Sequence, residues 1–131
     1  VTMPTPTETV LAFLDMLEKP GGFADAVRAF FTPTTNYLNV GMSDTTGIEE
    51  AVAFVQGFEA TTGSSFLRVD MLALAEAGNK VLTERIDHLC NAEGKSVLSL
   101  PVMGIFEVAD GKIANWRDYF DTAGTAAATG G

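Results

Sequence analysis

Residues 65–121 read SFLRVDMLALAEAGNKVLTERIDHLCNAEGKSVLSLPVMGIFEVADGKIANWRDYFD, and their apolar side chains recur with a period of two rather than 3.6. Leu67, Val69, Met71, Ala73 and Ala75 alternate with Arg68 and Asp70, which is the pattern of a half-buried strand. Gly78-Asn79 is a turn signal leading into a strand over 81–89; residues 91–94 make the next turn, and a long strand covers 96–108. Asp110-Gly111 is the strongest hairpin signal in the chain, and 113–121 closes the sheet.

Upstream of this segment the period lengthens. Thr5-Pro6-Thr7-Glu8 reads as a helix start, with Thr5 as N-cap, Pro6 at the first helical position and Glu8 reaching back as a capping box. Val10, Phe13, Leu14 and Leu17 follow at i, i+3, i+4 and i+7, one buried helical face that ends before Pro20-Gly21-Gly22. A second helix is expected over about 23–31, stopped by Pro33, and a short strand near 35–40. Thr46-Gly47-Ile48-Glu49 repeats the capping signature, and Ile48, Val52, Val55 and Phe58 mark a third helix ending near Thr61-Thr62-Gly63. Three helices, a short strand and then four strands joined by tight turns predict an α+β domain over 1–121, with N-terminal helices packed on one face of a curved, mostly antiparallel sheet. Residues 122–131 are Thr, Ala and Gly without an apolar anchor, so a tail lacking fixed structure is expected there.

Composition excludes several function classes. Eight basic residues against 17 acidic ones give a net charge of −9, which disfavours nucleic acid and anionic membranes as partners. No apolar run approaches the roughly 18 residues of a spanning helix, and the N-terminus shows no basic segment followed by an apolar core, so a cytoplasmic protein is expected. One cysteine, Cys90, allows no internal disulfide, and with one histidine there is no Cys/His cluster for zinc. No metal and no cofactor are called for.

Polar residues interrupt apolar faces at particular places. In the last strand Trp116, Asp118 and Phe120 share a face, leaving a carboxylate between two large aromatics, where its ionisation must respond to its surroundings. The strand over 81–89 carries Arg85 and Asp87 on the face of Val81, Thr83 and Leu89; the opposite face holds Leu82, Glu84, Ile86 and His88, so parity does not say which side is inside. Tyr37 and Asn39 alternate with Leu38, Val40 and Met42, and taken alone this pattern turns Tyr37 and Asn39 to the surface. Parity also turns His88 away from Arg85 and Asp87, which reads as a surface or packing histidine, and Cys90 reads as a small packing residue.

The stretches Leu82-Thr83-Glu84-Arg85-Ile86-Asp87 and 111–121, with its Trp116-Arg117-Asp118-Tyr119, resemble the limonene-1,2-epoxide hydrolase family, a branch of the NTF2-like (SnoaL-like) cone-shaped α+β superfamily. The resemblance covers about Thr5 to Asp121. It implies a cofactor-independent hydrolase that adds water to small hydrophobic epoxides, cyclic or terpene-like, to give vicinal diols. It also implies that the family's catalytic set falls on Asp87, Arg85, Asp118, Tyr37 and Asn39, and that Tyr37 and Asn39 point into the cone against their local pattern. Asp87 would then be the acid and Asp118 the base, with Arg85 bridging the two and Tyr37 and Asn39 fixing the water. Members commonly continue into an apolar-faced C-terminal segment that helps cover the pocket, which 122–131 does not supply.

An apolar pocket for the epoxide is expected from Met71, Leu74, Leu100, Met103, Ile105, Trp116 and Phe120. The competing readings are a SnoaL-like or ketosteroid-isomerase-like isomerase or cyclase, and a non-catalytic ligand-binding module. Arg85 speaks against the isomerase, whose chemistry wants neutral donors in an apolar oxyanion site. Apolar residues at both parities between Val97 and Phe106 leave a face in need of a cover, so a homodimer is expected.

Overall fold

The computed structural model describes residues 2–129. Its elements follow in the order α1 (Pro6–Met16), α2 (Gly22–Phe30), β1 (Phe31–Asn39), β2 (Ser43–Thr46), α3 (Ile48–Thr62), β3 (Phe66–Ala77), β4 (Lys80–Cys90), β5 (Ser96–Ala109), β6 (Lys112–Tyr119) and α4 (Thr122–Thr129). The strands form one curved sheet in the order β2-β1-β6-β5-β4-β3. Every neighbouring pair is antiparallel except β1 with β6. The sheet is therefore mixed, and the parallel pair places the early strand beside the last one.

Local chemistry sets the boundaries. Thr5 accepts the Glu8 amide at 3.1 Å while Glu8 accepts the Thr5 amide at 2.8 Å, so the expected capping box opens α1. Val10, Phe13, Leu14 and Leu17 are all buried against the sheet. Asp110 and Gly111 both take positive φ, 53° and 73°, which is the backbone of a two-residue turn matched to the twist of β5 and β6. Phe13 sits at the centre of the core, edge-on to Trp116 with ring centroids 5.2 Å apart.

Four expectations are corrected. The strand β2 was not foreseen, because SDTT has neither length nor apolar alternation; it exists by pairing with β1 from Asn36↔Thr46 to Asn39↔Ser43. Consequently Thr46 is a strand residue and Gly47, with φ 86°, caps α3, while the Thr46 amide donates to Glu50 at 2.9 Å. A Cβ at Gly47 would lie 2.9 Å from the Pro33 carbonyl oxygen, so glycine is the residue that lets the chain turn there. A bulge between Met71 and Ala73 shifts the β3–β4 register, and beyond it Leu74 turns inward in place of Ala73 and Ala75.

The fourth concerns the tail. Residues 122–129 form α4 rather than a segment without structure, and 130–131 lie outside the described residues. Asp121 starts this helix: its carboxylate accepts the Gly124 amide at 2.9 Å and its carbonyl accepts the Thr125 amide at 3.1 Å.

Candidate active site

The inner face of the sheet carries a row of polar residues set by strand register. Asn39 lies opposite Asp118, Asp118 opposite Gly104, and Gly104 opposite Thr83, across β1, β6, β5 and β4. Arg85 and Asp87 follow Thr83 at two-residue steps on the same face of β4. The ambiguity of β4 is thus resolved: Val81, Thr83, Arg85, Asp87 and Leu89 are buried, while Leu82 and Glu84 are exposed.

Arg85 is buried, with 1% of its surface exposed, and its guanidinium is held on several sides. Nε donates to Asp87 Oδ1 at 3.0 Å and Nη2 to Asp87 Oδ2 at 2.9 Å, a two-point grip. The same Nη2 donates to Asp118 Oδ2 at 2.9 Å. Nη1 donates to Thr83 Oγ1 at 2.9 Å, and that hydroxyl in turn donates to the Gly104 carbonyl at 2.9 Å. A buried cation with fewer partners would be costly; here the planar fork meets two carboxylates and a hydroxyl without strain. One positive charge thus faces two carboxyl groups.

Asp118 accepts at both oxygens, from Arg85 and from Trp116 Nε1 at 2.7 Å. Burial nevertheless raises its carboxyl above the ordinary value of 3.8; the Arg85 charge opposes that shift and Asp87 adds to it. Burial likewise pushes the Tyr37 phenol far above its ordinary range, with the nearby Asp118 acting in the same direction, so Tyr37 stays protonated.

Tyr37 and Asn39 are buried, at 4% and 5% exposure, and face the cluster, against the surface position that their alternation alone predicts. Aromatic packing is the reason. The Tyr37 ring stacks on Trp116 at 4.2 Å and 10°, and Trp116 stacks on Phe106 at 4.9 Å, a run of rings across β1, β6 and β5. Asn39 is tied by its Nδ2, which donates to Ser43 Oγ on β2 at 3.0 Å. All five expected site residues therefore lie together on one face.

Tyr37, Asn39, Asp87 and Asp118 border a partly enclosed pocket, while Arg85, its side chain wholly buried, stands behind that lining. Leu100, Trp116 and Phe120 line it as expected. Met71 and Leu74 do not; they pack against the core instead. Met103 and Ile105 are corrected outright, since the parity of β5 sends them to the outer face, where Met103 is 54% exposed in a shallow groove beside Leu82 and Tyr119. The wall that the sequence reading missed is chiefly α3, through Phe54, Val55 and Phe58. Its apolar stripe is wider than one core face requires, and that width was the available signal.

Gly104 was missed as well. A Cβ there would collide with Asp118 Oδ1 and Arg85 Nη1, so the cluster closes only over a glycine. A glycine inside a strand is the sequence sign of such close approach.

His88 lies on the outer face, as parity indicates, with Nδ1 2.8 Å from Ser99 Oγ and Nε2 2.8 Å from Asp70. Cys90 is buried at the end of β4. Among the described residues no group of three or more His, Cys, Asp and Glu side chains converges as a metal site, and no helix is long and apolar enough to cross a membrane.

Residues 4–129 match the family model for the limonene-1,2-epoxide hydrolase catalytic domain. The chain is 35% identical over 112 residues to epoxide hydrolase EphG of Mycobacterium tuberculosis (strain ATCC 25618 / H37Rv), covering 86% of this chain and 70% of that protein. A solved structure of an M. tuberculosis LEH-like epoxide hydrolase superposes with a TM-score of 0.74 at 30% identity, over 98% of this chain and 89% of the other. A SnoaL-like protein from Jannaschia sp. CCS1 has a TM-score of 0.73 at 23% identity, covering 95% and 90%, and shares the fold. An NTF2-like protein from Cytophaga hutchinsonii ATCC 33406, 18% identical with a TM-score of 0.71 over 95% of this chain and 96% of the other, likewise shares the fold. The match over nearly the whole chain and the likeness to EphG place this protein in the limonene-1,2-epoxide hydrolase family.

Proposed function

We propose that this chain opens small hydrophobic epoxides, cyclic or terpene-like, with water to give vicinal diols in one step, without a cofactor and without a covalent intermediate. The observation that carries this reading is the single guanidinium of Arg85 bonded to both Asp87 and Asp118 beside an apolar pocket. Asp118 is the base and Asp87 the acid. Water oxygen attacks a ring carbon and gives a proton to Asp118 as that carbon's bond to the epoxide oxygen breaks; Asp87 delivers its proton to the departing oxygen. The proton on Asp118 then returns to Asp87 through solvent, restoring the pair. A base with raised proton affinity accepts from water more readily, which suits the burial of Asp118. Tyr37 and Asn39 hold the water in line with the breaking bond.

The test is incubation with a panel of cyclic and terminal epoxides, with diol analysis, alongside the Asp118→Asn variant. Diols from the parent and none above background from the variant are expected. Absence of diols throughout the panel, with turnover of a β,γ-unsaturated ketone instead, would transfer the site to isomerase chemistry.

The working form is a homodimer joined through the outer face of the sheet. Leu72, Leu82, Val97, Met103 and Tyr119 are exposed on strands β3, β4, β5 and β6, an apolar area that a second copy can cover.

A further inference from the structure

One carboxylate in the pocket has no part in the chemistry above. Glu59, in the last turn of α3, lines the same cavity as Asp87 and Asp118. Its Oε2 is buried and has no hydrogen-bond partner among the described residues, while the residue as a whole is partly buried. The cavity has Val55, Phe58, Leu67 and Leu89 in its walls, and the Ser64 hydroxyl, also in that lining, is engaged with that of Thr62 at 2.8 Å. The last turn of α3 carries no basic residue, and the negative end of a helix is the least favourable place for an acidic group. Burial accordingly raises the carboxyl of Glu59 above its ordinary value of 4.5.

Glu59 shares its cavity with Asp87 and Asp118, and the chain that follows α3 runs on to β4. The Gly63 amide donates to the Glu59 carbonyl at 2.9 Å, and the Ser65 amide donates to the Cys90 carbonyl at 2.7 Å. The turn after α3 therefore meets β4 at its Cys90 end, three residues beyond Asp87.

We propose that Glu59 is a specificity residue, whose unpaired oxygen accepts a hydrogen bond from a donor group, a hydroxyl or an amine, carried by the substrate at the end remote from its epoxide. The proposal rests on the epoxide-hydrolase reading for the word substrate, and on the pocket alone for the binding of the donor. A site that offers a buried acceptor discriminates against a ligand that leaves it unpaired more strongly than an apolar pocket discriminates by size. The substrates favoured here are thus epoxides with a free alcohol or amine, above their hydrocarbon or ether counterparts.

Trp116, the sole tryptophan of the chain, lies in the pocket wall, so ligand binding can be read from its fluorescence without turnover. The probes are 4-methylcyclohexylmethanol, its methyl ether, which cannot donate, and the corresponding primary amine, titrated into the parent, Glu59→Leu and Glu59→Gln. The parent binds the alcohol or the amine about tenfold more tightly than the ether, which is the scale of one hydrogen bond to an otherwise unpaired buried acceptor. Glu59→Leu loses that preference, and Glu59→Gln, which keeps an acceptor and the same shape, retains part of it. Which donor is preferred separates alcohol from amine as the group recognised. No preference in the parent, or an equal preference in Glu59→Leu with an unaltered thermal melt, overturns the proposal. Because these probes are not epoxides, a protein that forms no diols still answers this question, and failure of the hydrolase reading appears only in the diol assay.

Discussion

Asp118 accepts hydrogen bonds at both oxygens, yet burial still raises its carboxyl above the usual range. The sign of the consequence for stability follows from that direction. The folded state holds this proton to higher pH than the unfolded chain, so the stabilisation from Asp118 is full below the unfolded value and lost as pH rises through the folded one. At neutral pH the ionised group is a liability to the fold. The melting temperature of the parent is therefore expected to rise relative to that of Asp118→Asn as pH falls from 7 towards about 4, while diol formation by the variant falls by about a thousandfold or more. Thermal melts across pH together with rate measurements check both halves. Arg85→Lys keeps the charge but replaces a planar fork by a single ammonium that cannot hold Asp87 at two points and Asp118 at once; a loss of about tenfold or more in kcat is expected. Gly104→Ala introduces a methyl where Asp118 and Arg85 already approach the backbone, and a displacement of about 1 Å at the reacting groups is enough for a loss near a hundredfold. Its rate, with a circular dichroism spectrum like the parent's, is the measurement.

At the level of elements, period and turn chemistry made most of the fold legible. The capping box of α1, the Gly78-Asn79 and Asp110-Gly111 turns and the apolar stripe of α3 are each set by residues close together in sequence, and each appears where expected. What was not legible depends on partners distant in the chain. The strand β2 exists only because β1 pairs with it, and the parallel register that brings Asn39 beside Asp118 joins segments far apart in sequence. The bulge in β3 inverts parity halfway along a strand, which alternation cannot foresee and which moves Leu74 inward. The site was legible for a different reason. Tyr37, Asn39, Arg85, Asp87 and Asp118 came from the likeness of two short stretches to a family, whereas alternation alone placed Tyr37 and Asn39 outside and left Arg85 and Asp87 undecided. Stacking of Tyr37 on Trp116 supplies the tertiary term that overrides the local pattern.

For the whole molecule, one face of the sheet carries the helices and the pocket, while the other presents Leu72, Leu82, Met103 and Tyr119 to solvent. A monomer would leave that apolar face wet. Sedimentation at micromolar concentration is expected to give a dimer for the parent and a monomer for the double variant Leu82→Glu, Met103→Glu; a monomeric parent would remove the second copy from this account. In the proposed mechanism water itself attacks the epoxide, with Asp118 removing its proton and Asp87 protonating the departing oxygen. A covalent aspartyl route needs a base to drive water onto the ester, and the lone histidine, His88, is on the opposite face of the sheet from Arg85 and Asp87, bonded to Asp70 and Ser99. A single turnover with enzyme in excess over epoxide in ¹⁸O-water separates the two routes. Direct attack places the label in the first diol formed; unlabelled first-turnover diol, with the label found in an aspartate of the protein, would contradict it.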